Sequence, residues 1–390
     1  MNSKNSSVRK SLSSIALALG GILAGEEVQA APLSLPAPLH FDAGPLGTLN
    51  AQGVASAYGM WQDNAFAGSG TPANKTASAD ISNGMVMISK TSGLFQFMVQ
   101  AGAYNILTLA APFASTGSYV QGSYGALPIA YLEIAPTEHF NVQIGKLYTL
   151  TGDEYTFSYQ NWNIQRGLLW GQENAIVKGV QLNYSNGPIT AALSWNDGFY
   201  SNRFNWLSGL ISYAINSKNS VFVQADGNLG HTYYTYAPLA TAPLQNNQQI
   251  YDLGYTYTGE HLALTSYVQY SQVPGTAVQA LGAGAKTTNT LGAAVLADYS
   301  FTDSVSLAGR VEYISNSGSV TDGAANLTGF GPGSHAWSLT VTPTYQKGGF
   351  FARGELAYVA ATMPADTGIF GKSGLNQSQM RGMLETGFLF

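Results

Sequence analysis

The chain has 390 residues, 16 Lys+Arg, 21 Asp+Glu, no cysteine and a formal net charge of −5. Charged residues are 9% of it, against about 25% in ordinary soluble domains, while mean hydropathy is only +0.02. This balance excludes a disulfide-stapled module and a basic nucleic-acid-binding surface. A helical membrane protein is excluded as well, because no later stretch has the roughly 18 apolar residues in a row that a spanning helix needs.

Residues 1–30 read as a secretory signal peptide. Lys4, Arg9 and Lys10 form a basic start, 12–24 an apolar stretch, and Val28-Gln29-Ala30 a small-residue cleavage site. Residues 31–50, rich in Pro and Leu, read as an extended periplasmic lead-in, and 51–390 as the folded unit. Strands are predicted near 53–61, 82–90, 93–104, 127–135, 140–148, 175–185, 188–197, 205–215, 220–230, 249–258, 262–272, 289–300, 305–315, 336–347, 349–361 and 378–390, which is sixteen strands. Short turns such as Thr91-Ser92, Asn186-Gly187 and Lys347-Gly348 alternate with long segments at 105–126, 149–174, 231–248, 273–288, 316–335 and 362–377. That alternation predicts an all-β fold: a transmembrane antiparallel β-barrel with short periplasmic turns and long external loops.

Parity along the strands assigns their faces. Leu291, Val295 and Tyr299 alternate with Thr290, Ala294 and Asp298; Trp337, Leu339 and Val341 alternate with Ser338, Thr340 and Thr342. Arg310 and Glu312, Arg353 and Glu355, and Arg381 and Glu385 all lie opposite apolar faces. A basic residue facing lipid at mid-bilayer costs about 2–4 kcal/mol, so these six are expected in the lumen as pore-lining residues. Glu133, Asp226, Asp252 and Asp298 follow by the same parity. Their alternative role is a salt-bridge network that stiffens the wall. On the last strand Leu384, Thr386, Phe388 and the C-terminal Phe390 share the lipid-type face.

The segment 149–174 is too long for an ordinary hairpin loop and carries Asp153, Glu154, Arg166 and Glu173. Long loops within compact domains are usually functional or disordered. This one is expected to fold inward as a constriction, or else to lie outside against solvent or a neighbouring subunit. No catalytic motif is present: there is no G-x-S-x-G, H-E-x-x-H or P-loop, and the five histidines are scattered. Neither a metal site nor a cofactor is expected.

Four stretches of the middle of the chain resemble the signature region of the OmpL-like β-barrel porin family of Gram-negative outer membranes. They are QIGKLYTLTGDEY (143–155), NWNIQRGLLWG (161–171), KGVQLNY (178–184) and WNDGFYSNRFNW (195–206). The similarity is best over 125–230. Where the family often has His-x-Gly, this chain has Val177-Lys178-Gly179. The resemblance implies a channel in the cell outer membrane. Taken with the composition, the expected function is passive diffusion of small hydrophilic solutes or ions. The expected partners are outer-membrane lipids, the outer-membrane assembly machinery acting on the C-terminal strand, and further copies in a homotrimer. An outer-membrane lipid hydrolase and an adhesive barrel with functional loops are the alternatives.

Overall fold

A computed structural model describes residues 33–65, 75–233, 243–282, 284–362 and 369–390; the signal-peptide reading of 1–30 lies outside them. Sixteen strands form one closed antiparallel barrel: β2 (Thr48–Gln62), β3 (Ala77–Lys90), β4 (Phe95–Tyr104), β5 (Ile129–Thr137), β6 (Phe140–Tyr148), β7 (Ile176–Asn186), β8 (Ile189–Asn196), β9 (Trp206–Ala214), β10 (Asn219–Asn228), β11 (Gln249–Thr258), β12 (Leu262–Val273), β13 (Thr288–Thr302), β14 (Val305–Asn316), β15 (His335–Lys347), β16 (Phe350–Thr362) and β17 (Ser378–Leu389). Each pairs with its chain neighbour, and β17 closes the ring against β2 from Arg381↔Gln62 to Leu389↔Val54. Closure leaves no barrel strand with an unpaired edge, which is what a segment in hydrocarbon requires.

The stretch read as a lead-in is more ordered than the sequence suggests. A short strand β1 (Leu39–Asp42) pairs with Thr48–Ala51 of β2, the part of that edge which β17 does not reach. The barrel itself starts at Thr48. Ahead of β1, the Ser34 amide donates to Gln346 Oε1 (2.9 Å) and Gln346 Nε2 returns a bond to Ser34 O (2.7 Å). Leu33 is buried with Phe351 and Leu389 in the lumen.

The two faces follow the alternation. On β17, Leu384 is 72% and Phe388 56% exposed, while Glu385 is 2% exposed. Leu132, Leu253, Leu291, Val295 and Leu339 continue this apolar exterior around the ring; so large a band is covered only by lipid. Aromatics ring both ends. Tyr299 and Phe301, and Phe350 and Phe388, are 5.0 and 5.6 Å apart at the turn end, and Trp337 and Tyr358 are 5.3 Å apart toward the loop end. Parity breaks once near the loops: at a register shift beside Ser56/Ala57, Ser82 and Asn83 both turn inward and are buried, as a bulge requires.

The C-terminal residue completes the seam. Phe390 exchanges backbone bonds with Gly53 (2.6 and 3.0 Å), and its ring covers Gly53 so closely that a Cβ there would overlap it. Gly53→Val is therefore expected to displace Phe390 and lower the fraction of barrel that resists unfolding by detergent without heat. Gly59→Val on the same strand, where nothing lies within 4 Å, is expected to behave as wild type. Equal folded fractions for the two variants would remove this role from Gly53.

The turn end carries only short connections. The loop end carries the long ones, including 63–76 and 197–205 besides those foreseen, although 66–74, 234–242 and 363–368 lie outside the described residues. The second loop, L2 (105–128), holds the helix α1 (Thr116–Gly122), capped by Ser115, whose Oγ accepts from the Ser118 amide. The third, L3 (149–175), joins β6 to β7 and fixes the interior.

Candidate channel constriction

L3 does not project outward. It leaves β6, crosses the lumen to the wall formed by β14–β17, and returns to β7. The physical problem for such a path is its irregular backbone, whose amides and carbonyls need partners at membrane depth. The inward charges supply them. Glu355 accepts from the Ile164 amide (2.5 Å), the Gln165 amide (3.2 Å) and Gln165 Nε2 (2.8 Å). Glu312 accepts from the Leu169 amide (3.1 Å) and from Ser338 Oγ (2.7 Å). Arg353 donates to Asn161 O (2.8 Å) and Ser158 O (3.0 Å) and pairs with Glu385. Glu385 also accepts from Ser158 Oγ (2.8 Å). Arg310 pairs with Glu154 and, at 3.2 Å, with Glu312, and donates to Gln165 O (2.7 Å). Arg381 donates to Gln165 Oε1 (2.7 Å), Thr108 O and Ala111 O, joining L3 to L2.

Strand register explains why the Arg-x-Glu spacing serves this purpose. Residues two or four apart on a strand point to the same side, so β14, β16 and β17 each present one guanidinium and one carboxylate inward, Arg310 and Glu312, Arg353 and Glu355, and Arg381 and Glu385. The pairs close between elements as well: Arg353 and Glu385 are directly opposed on β16 and β17, and Arg310 reaches a carboxylate of L3. All six wall residues are buried under the loop; Arg310 is 1% and Arg381 3% exposed.

Two glycines permit the close approach. A Cβ on Gly167 would overlap the Glu312 carboxylate. At Gly152, where φ is +76°, a Cβ would overlap Glu173. The Gly152 amide instead donates to Gln224 Oε1 (2.7 Å) and Asp252 Oδ2 (3.3 Å), tying the start of L3 to β10 and β11.

The sequence-predicted site residues fall into three places. Arg310, Glu312, Arg353, Glu355, Arg381 and Glu385 meet Glu154 where L3 crosses, and Arg166 of L3 lies near them. Its backbone bridges to L2, with its amide on Leu107 O (2.8 Å) and its carbonyl receiving the Leu109 amide (2.9 Å). Its guanidinium is fully buried without a hydrogen-bond acceptor, and burial pulls its pKa down to about 10 against the opposing charge of Glu154. Asp153, Glu173, Asp226 and Asp252 gather beside β10–β12. Glu133 and Asp298 stand apart toward the turn end. Glu133 accepts from Gln143 Nε2 (2.8 Å); Asp298 borders a cavity of about 20 Å³ with Leu33, Trp162 and Arg353, room for about one water molecule.

Sequence reading passed over the uncharged half of the arrangement. Asn83 Nδ2 donates to Ser158 Oγ (2.7 Å), Asn163 Nδ2 to Thr342 Oγ1 (2.7 Å), and Gln269 Nε2 to Glu173 Oε1 (2.9 Å). The available signal was the run of Asn, Gln and Ser at 158–165. It also passed over an apolar sector of lumen, where Met85, Met87, Met98, Tyr131, Phe157 and Tyr159 pack together.

Two loop carboxylates make docking pH-dependent. Burial pushes Asp153 up to about 6, the Thr265 side chain opposing. Burial, then the neighbouring Asp252 and Glu154 charges, raise Glu173 well above the usual carboxylate range. Both bind protons more tightly when L3 is docked than when it is free. Docking is therefore firmest below the ordinary carboxylate range and weakens as pH rises through about 6. Hydrogen exchange of L3 amides, corrected for intrinsic rates, is expected to show less protection at pH 8 than at pH 5; greater protection at pH 8 would contradict this.

A closed antiparallel barrel with an apolar belt, aromatic girdles and a polar interior defines the class of outer-membrane barrels. Within it, a profile of the family described as "Putative beta-barrel porin-2, OmpL-like" matches residues 48–390, and the chain belongs to that family. Similar solved structures include the outer membrane channel DcaP of Acinetobacter baumannii (TM-score 0.57, 11% identity, covering 91% of this chain and 100% of that one). Others are the outer-membrane expressed OmpT of Vibrio cholerae (0.55, 12%, 90% and 100%) and Salmonella typhi OmpF in complex with daunomycin (0.54, 12%, 90% and 100%). At these identities the likeness is one of fold. A search of curated protein sequences finds no match.

Proposed function

We propose that the protein is an outer-membrane porin whose bore is set by L3, passing small hydrophilic solutes or ions by passive diffusion. The observation that carries this reading is the way L3 is held. A sixteen-strand wall encloses a lumen wide enough for an aqueous channel, and L3 crosses it on side-chain hydrogen bonds and ion pairs that water or a polar solute can exchange. With L3 docked the polar residues that it faces are covered, so the solute path opens where the loop's contacts to them exchange. Arg310, Glu312, Arg353, Glu355, Arg381 and Glu385 line one side, with Glu154, Arg166, Asp153 and Glu173 from the loop. Asp226, Asp252, Asp298 and Glu133 extend the lining. Carboxylates outnumber guanidiniums among these groups, which favours cations. The closing strand β17 is the element offered to the assembly machinery, and the assembled form is a homotrimer in outer-membrane lipid.

Purified protein in a planar bilayer is expected to give stepwise conductance with a cation preference. Replacing Arg310 and Arg353 together with Gln is expected to move the reversal potential in a salt gradient further toward the cation limit. A barrel that remains silent at all voltages would defeat the channel reading. Unchanged reversal potentials would take these two residues out of the lining.

A further inference from the structure

The inward wall at β10–β12 differs in chemistry from the wall at β14–β17. Against β14–β17, guanidiniums and carboxylates are mixed, and Arg310 and Arg353 are ion-paired with Glu154, Glu312 and Glu385. At β10–β12, Asp226 and Asp252 meet Asp153 and Glu173 of L3, and among the described residues no ion pair reaches any of the four. Asp226 is 3% exposed. It faces the Ser208 and Thr151 hydroxyls, but neither of its oxygens has a hydrogen-bond partner. Asp252 uses Oδ2 for the long Gly152 bond; the Gln269 side chain faces it, but its Oδ1 has no partner within hydrogen-bond distance. Glu173 receives Gln269 Nε2 and Tyr267 Oη (3.4 Å) at Oε1, and its Oε2 has none.

An independent observation points the same way. The surplus of acceptors extends to neutral groups: the side-chain oxygens of Gln269, Gln248 and Gln172 are buried without a donor. Gln269 bonds Glu173 directly, and Gln248 Nε2 donates to Gln172 O (3.0 Å) at the same end of L3. Buried acceptors are normally satisfied; here the unpaired acceptor oxygens outnumber the unpaired donors, Thr151 Oγ1 and Asn174 Nδ2, and among the described residues no positive charge is paired with the four carboxylates.

The spread of the acceptors selects the ligand. A bare metal ion would need three or more carboxylates or imidazoles converging on one point, and among the described residues no such group exists. The oxygens instead lie along three strands and both ends of L3. A ligand that meets them in turn carries several N–H donors and more than one positive charge along a flexible chain. Phe222 and Tyr267, both buried on the inner face of these strands, supply apolar surface for the methylenes between its charges. We infer that this wall is a binding site for linear polyammonium solutes. The inference deepens the channel reading by naming the solute class that the constriction retains, and it rests on that reading for the route of entry. An arriving ammonium replaces the weak Gly152 bond at Asp252, so binding loosens the start of L3.

The test is calorimetric titration of spermidine into the intact barrel in detergent at low ionic strength, with magnesium chloride titrated separately. Saturable spermidine binding is expected, weakened by at least about tenfold in the Asp226→Asn/Asp252→Asn variant. Glu173→Gln alone is expected to weaken it in the same direction, which keeps the result decisive if the double variant does not fold. Asp322→Asn, on an exposed loop against Lys286, is expected to leave the affinity unchanged. Absence of spermidine binding, undiminished binding to a folded Asp226→Asn/Asp252→Asn barrel, or displacement of spermidine by equimolar magnesium would each overturn the assignment. Bilayer recording of the same preparation separates the two readings. Stepwise conductance without spermidine binding overturns this site and leaves the channel standing; binding to a silent barrel sustains the site and overturns the channel.

Discussion

Excision of residues 153–172, with the ends bridged by a short Gly/Ser linker, is expected to raise single-channel conductance severalfold while leaving the barrel closed. Every strand pairing of the wall lies outside the excised residues; β6 and β7 remain joined from Phe140↔Tyr184 to Tyr148↔Ile176. What is lost is the chain that crosses the lumen, together with the bonds it makes to Glu312, Glu355, Arg353 and Glu385. Those side chains then face water, where charge is inexpensive, so the wall survives and the bore widens. An intact barrel with unchanged conductance would move the constriction to L2, whose Tyr119 and Tyr124 are also buried in the lumen.

The second large effect concerns Arg353. Its substitution by Met leaves Glu385 buried without its cation and frees the Ser158 and Asn161 carbonyls of L3. Breaking a buried ion pair by removing one partner costs about 3–5 kcal/mol. The variant is expected to lose most of that from the stability measured by urea titration of gel mobility. Glu385→Gln is expected to be costly as well, since Arg353 then lacks its carboxylate. Combining the two should cost clearly less than the sum, because the second change removes a charge already stranded by the first. Strict additivity would mean that the two residues act independently and that their opposition on β16 and β17 carries no weight.

The wall was legible because its physics has period two. Arg310 and Glu312 had to face inward once Val311 and Tyr313 faced lipid, and the exposures agree. The same reasoning placed Phe388 and Phe390 outside and Glu385 inside. It failed where the period breaks: the shift beside Ser56/Ala57 turns both Ser82 and Asn83 inward, and no pattern in the sequence marks that extra residue. The strand β1 was missed because four residues, with Leu39 and Phe41 alternating with His40 and Asp42, are too short to stand out from a Pro-rich run. The interior of L3 was unreadable for a different reason. Ser158, Asn161 and Gln165 find partners on strands 227, 192 and 190 residues away, and nothing local to an Asn or Gln specifies which carboxylate or guanidinium it will meet. The length and charge of 149–174 indicated that the loop mattered, but not which atoms held it.

The anchoring of L3 also orders events in time. Ser158 bonds Glu385 across a separation of 227 residues, and Asn161 accepts from Arg353 across 192. The loop is thus synthesised long before the strands that hold it, and contacts so distant in sequence form late and slowly. Until the final hairpin of β16 and β17 is in place, L3 lacks its principal ligands. Ring closure and the narrowing of the bore are then one kinetic step: a nascent chain that has not yet sealed its wall also has no gate.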